Sequence, residues 1–323
     1  MDNILSTTKL SEAQLDVLRP LEAALEQAVQ DGRSADAVEI TTRIQTLFPH
    51  DRGHHRLLQA KLWAFEACLN ENRLNYAESG LVGVRKLSSS STRLYLEATS
   101  LLSICMLRQK RITEAKSLIA EAFKKINNIK SDARRHTFQK ALIDRINEES
   151  ILTELIGTAQ GNLIETEIHA KAVELIQRCD DSEIIKLIGT NIPIGSVRLH
   201  EDLQSFSLKQ LPSPDRKLLP PPQQLQNPQQ IGKTAFAILK RIAWKTFCKP
   251  SSTLYKLWSA KIPKVFNEGY FSAAVASTFA DYRIGLPLIA SGISALIMKY
   301  SAEEFCELAK PDSLMNSRRE KAD

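Results

Sequence analysis

Glycine is scarce, with twelve among 323 residues, and alternating runs of β-branched and polar residues are few, which removes the usual signals of a sandwich or barrel. The five cysteines (Cys68, Cys105, Cys179, Cys248, Cys306) are odd in number and widely spaced, so they form no disulfide framework and read as reduced core residues. No basic, apolar and small-residue stretch opens the chain, so nothing marks secretion and a cytoplasmic setting is expected. Catalytic motifs are lacking too: no Ser-His-Asp, Cys-His or glycine-rich signature is present.

Leu, Ala, Glu, Lys and Gln are abundant, and a hydrophobic content of 43% is enough to bury real cores. An all-α chain with two domains is the expectation. Ser11 with Gln14 has the form of a capping box, opening a helix that carries Leu15, Leu18, Leu21, Leu25 and Ala28 on one side and stops at Asp31-Gly32. A second helix is predicted from Ser34 to Leu47, ended by Phe48-Pro49.

Residues 18–49 then resemble a tetratricopeptide unit, with Gly32 at the family's turn, Ala37 at its small position and Pro49 at its closing proline. Residues 96–127 resemble it also, with Leu102-Ser103, a turn at Gln109-Lys110, and the small residues Ala115 and Ala122. A weaker copy covers 58–89, with Ala64, Asn72 and Ala77. The second-helix alanines are 40 and 38 residues apart, against a family period of about 34, and the bulky aromatic early in each first helix is missing. The resemblance implies stacked helical hairpins over about residues 12–128 and a groove for a protein partner. Physical logic agrees, because one hairpin cannot bury its apolar face alone.

A long helical pattern follows from Ser131-Asp132 to Gly157, then shorter ones over 164–178 and 182–189, broken at Pro193-Ile194-Gly195. The expected layout is a helical repeat domain over 12–195, a Pro/Gln-rich linker over 207–230, a smaller basic and apolar helical domain over 231–311, and a disordered tail over 312–323.

Charge is uneven. Residues 209–264 hold eleven Lys or Arg against Asp215, a net +10, leaving 32 basic and 36 acidic residues elsewhere. An amphipathic helix over 231–248 places Lys233, Lys240, Arg241, Lys245 and Lys249 among aromatics that include Trp244, with Trp258 following. That mixture suits phosphate contact with base stacking over 231–264, and suits equally a solvated basic face over an aromatic core. The apolar pieces within 271–300 predict a buried helical hairpin rather than a membrane span.

Gly232-Lys233-Thr234 imitates the end of a phosphate loop, but the earlier glycine it needs would fall at 227, which is Asn. His50, Asp51, His54 and His55 cluster at a junction, without a cysteine or catalytic glutamate nearby, and read as a solvated or capping group. No metal or cofactor is called for. The expected function is a non-catalytic protein-interaction scaffold or regulatory subunit of an assembly. The alternatives are a nucleic-acid-associated protein using 231–264 or a membrane-active effector using 271–300.

Overall fold

Three turns have the same backbone geometry. In the computed structural model, Gly32, Asn72 and Lys110 each sit in the left-handed region at φ 67, 63 and 60°. The following amides of Arg33, Arg73 and Arg111 reach back to the carbonyls of Ala28, Cys68 and Met106 at 2.8–2.9 Å. This six-to-one bond closes each helix C-terminus and reverses the chain within three residues. The pattern of bonds, more than the residue type, defines the turn: Asn and Lys accept a conformation that glycine adopts freely.

The structure describes residues 10–158, 162–211, 215–216, 227–260, 269–300, 302–310 and 313–318. Among them there are fifteen α-helices and no strand, so the fold is all-α. Contacts divide the chain into two units: 1–145 with 206–219 and 312–323, and 146–205 with 220–311. One boundary, between 219 and 220, lies within the Pro/Gln-rich stretch 207–230, whereas none falls at 195. Two further boundaries lie inside continuous helices, α7 (Asp132–Leu155) and α10 (Ile194–Gln210), which give residues to both units. Their periodicity reports an apolar face and says nothing about which neighbours cover it.

The first unit begins with α1 (Glu12–Gln30), α2 (Ser34–Thr46), α3 (His55–Asn70), α4 (Leu74–Leu87), α5 (Arg93–Arg108) and α6 (Ile112–Lys124). The capping box of Ser11 and Gln14 is present. Each helix packs on the next, and α1 also meets α3 and α3 meets α5. Close approach is permitted by Ala37, Ala77 and Ala115, which are fully buried early in α2, α4 and α6. The segment 207–211 is not an extended linker: Lys209 and Gln210 end α10, Leu211 is buried, and Asp215 accepts from Gln139 at 2.9 Å.

The second unit contains α8 (Glu165–Arg178), α9 (Asp181–Thr190), α11 (Pro228–Phe247), α12 (Thr253–Ser259), α13 (Tyr270–Asp281), α14 (Pro287–Lys299) and α15 (Ala302–Leu308). Asn227 caps α11 through the amide of Gln229, and Pro228 takes the first turn, where a missing N–H costs nothing. The apolar pieces of 271–300 are α13 and α14, which pack on each other in a cluster holding Phe279, Ile289, Ile293 and Leu296. Their turn repeats the geometry of the first unit, with Arg283 at φ 54° and Ile284 N–H on the carbonyl of Phe279. Among the described residues no helix is long and apolar enough to cross a membrane.

Two of the five cysteines are not reduced. Cys248, just past α11, and Cys306 in α15 are joined, across 58 residues of sequence. Spacing alone could not pair them; they meet because Phe247 packs on Phe305 and the Trp244 indole donates to the carbonyl of Cys306 at 3.0 Å.

Candidate functional site

Helix α5 is buried on nearly every side, so its polar residues lie inside the protein. Thr99 and Ser103 satisfy themselves locally, donating to the carbonyls of Tyr95 and Ser100. Glu97, as a carboxylate, cannot donate to a helix carbonyl in that way. Its carboxylate is wholly buried and takes the Arg93 Nε–H at 2.7 Å, one helical turn earlier. Helix α3 repeats the situation with Glu66, 3% exposed and set in the apolar run Leu62-Trp63-Ala64-Phe65-Glu66-Ala67. An interior carboxylate needs donors, since a buried unpaired one is costly.

The donors come from the chain's last described segment. Residues 314–318 form a 3-10 helix against α5, where the sequence predicts a disordered tail. Ser313 Oγ donates to Glu66, and the amides of Leu314 and Met315 donate to its two oxygens at 2.7 and 3.3 Å. Leu314 and Met315 are buried. Arg318 then places Nε on Glu97 Oε1 at 2.8 Å and Nη2 on Oε2, with Nη1 on Gln59 Oε1 at 3.1 Å. This is the two-pronged guanidinium–carboxylate pair, with both partners largely out of water. Burial pushes the Glu66 carboxyl upward in pKa, while the bonds from Ser313, Leu314 and Met315 and the charge of Arg145 oppose it.

Gln59 also lines an open cleft of about 390 Å³, with Glu22, Glu26, His55, Arg56 and Trp63. His55, with His54 stacked on it, sits at this end. His54 is buried, stacks on Phe48 and caps α3 by accepting the Arg56 amide on Nδ1. Among the described residues no group of three His, Cys, Asp or Glu could hold a metal.

The residues singled out in the basic segment lie in the second unit and do not form one free face. Lys233 is exposed. Lys240 donates to the carbonyl of Leu308, Arg241 pairs with Glu148 at 2.8 Å, and Trp244 is 7% exposed with its N–H spent on Cys306. Lys245 and Lys249 are half-buried, and the Trp258 side chain lies outside the described residues.

One pair imitates catalysis. Ser150 Oγ and His200 Nδ1 are 2.9 Å apart, yet the two residues are 0 and 1% exposed. Burial holds the His200 pKa at about 4, against the bond to the Asn147 carbonyl that raises it. With His ordinarily near 6.5, the unfolded chain takes up a proton that the folded chain refuses between pH 6.5 and 4. Stability from this group is therefore complete above pH 6.5 and lost as pH falls to 4, by about 3 kcal/mol. In urea titrations across that range, His200→Gln is expected to flatten the pH dependence by this amount.

Sequence reading missed Glu66, Glu97, Gln59 and Arg318. A signal existed in part: a lone glutamate inside an apolar helical run, as in Leu94-Tyr95-Leu96-Glu97-Ala98, is out of place unless something pairs with it. No protein-family model, no curated protein and no solved structure matches this chain.

Proposed function

We propose that the chain is a non-catalytic interaction scaffold or regulatory subunit whose first unit is a tetratricopeptide-like array holding a protein partner along the α3–α5 face. The observation that carries this reading is the acceptance of a short peptide segment by the buried carboxylates Glu66 and Glu97, through backbone amides and a guanidinium. Three hairpins with one turn geometry and a buried alanine early in each second helix support it. The cleft beside Gln59 extends the same face. Phosphate contact through the basic segment is less well supported, because Trp244 is buried and Arg241 is paired. A cytoplasmic setting goes with a Cys248–Cys306 bond that forms transiently, and an oxidising compartment with a permanent one.

The test is affinity capture with the intact chain at low salt, with and without nuclease, beside the cleft variant Glu26→Lys. A protein that survives nuclease and is lost with Glu26→Lys supports the scaffold. Material that disappears with nuclease, or capture indifferent to Glu26→Lys, counts against it.

A further inference from the structure

The segment docked in the first unit is the last described part of the chain, and it touches α3 and α5 through two backbone amides together with a serine hydroxyl and an arginine guanidinium. Its backbone amides at 314 and 315 meet Glu66, its two apolar side chains are buried, and Arg318 spans Glu97 and Gln59. In a 3-10 turn, residues three apart stand one above the other, so Met315 and Arg318 share a side. The pattern that makes these contacts is thus a hydroxyl residue, two apolar residues and, three positions after the second of them, an arginine. A five-residue 3-10 helix held by these few bonds belongs to the parts of a fold that open at low free-energy cost.

We infer that the α3–α5 face is a peptide site filled in cis by residues 313–318, and that a partner presenting the same pattern, hydroxyl-apolar-apolar-x-x-Arg, gains the site by displacing them. This rests on the scaffold reading and adds the chemistry of the ligand and the device that limits access. Acidic or phosphorylated segments are excluded by the same geometry, because Glu66 and Glu97 would repel them where the amides and guanidinium now sit. Being tethered, residues 313–318 compete at an effective concentration on the order of millimolar, so the closed chain binds partners weakly without any change in the site itself.

The experiment uses a fluorescent synthetic peptide, Ser-Leu-Met-Asn-Ser-Arg with blocked ends, titrated by anisotropy into the full chain and into full-length Met315→Asp/Arg318→Glu. Binding to the variant at least about tenfold tighter than to the unaltered chain is expected. A control peptide with Glu in place of the arginine should bind neither. Equal binding to both proteins would overturn the cis occupancy while leaving the peptide site standing. No binding to a folded variant would overturn the site and the scaffold reading together. Should the variant not fold, hydrogen exchange on the unaltered chain decides. Excess peptide must accelerate exchange at the Leu314 and Met315 amides, and unchanged rates there would end the proposal.

Discussion

Gly232→Ala is expected to destabilise the protein by about 3 kcal/mol or more, although alanine is the better helix former by about 1 kcal/mol. A methyl on Gly232 of α11 would lie 1.9 Å from the carbonyl oxygen of Ile185 in α9, and one on Gly189 of α9 would lie 1.8 Å from that of Pro228. The two helices meet backbone to backbone, so no side chain can rotate away and the axes must separate. Separation opens the packing around Ile184, Ile188, Ala235 and Leu239, where dense contact gives way to voids. Gly83→Ala supplies the control. That glycine lies in α4 with nothing within 4 Å of the added methyl, so the same change should stabilise by up to about 1 kcal/mol. Opposite signs in paired urea titrations would establish that Gly232 serves helix contact, which also accounts for the phosphate-loop imitation at Gly232-Lys233-Thr234. Equal stabilisation by both changes would refute the close crossing.

Arg241→Ala is expected to cost about 3 kcal/mol, the loss characteristic of removing one member of a largely buried ion pair. The guanidinium and the Glu148 carboxylate are 2.8 Å apart, with side chains 13 and 15% exposed. Truncation leaves Glu148 in poor solvent, so most of the loss is the stranded carboxylate rather than the pair's own attraction. Arg241→Ala with Glu148→Leu should recover much of the stability in a double-mutant cycle. Lys233→Ala, at an exposed position on the same helix, should change stability by less than about 0.5 kcal/mol. Were Arg241 instead a free phosphate contact, its replacement would leave thermal stability untouched and lower only salt-dependent nucleic-acid affinity.

The helices were largely legible because their signals are local. Ser11 with Gln14, the turn at Asp31-Gly32-Arg33, and Asn72 and Lys110 at corresponding turns each act within a few residues, and each stands where the sequence reading put it. The break at Pro193 was misplaced in meaning: its carbonyl accepts the amide of Ser196, and the chain continues as α10 instead of leaving a domain. Proline at a helix start and proline after a helix end are the same residue to a pattern reader.

Composition and periodicity by themselves determined that the described residues are all-α, that the chain turns at Gly32, Asn72 and Lys110, and that Ala37, Ala77 and Ala115 let neighbouring helices approach. Tertiary structure alone decided which distant groups meet: Glu66 and Glu97 with residues 313–318, Arg241 with Glu148, Cys248 with Cys306, and Gly189 with the backbone of α11. The physical reason is range. Caps and turns are satisfied by neighbours in sequence, whereas a buried charge, a thiol or a glycine at a crossing takes its meaning from a partner that folding brings from 39 to 249 residues away.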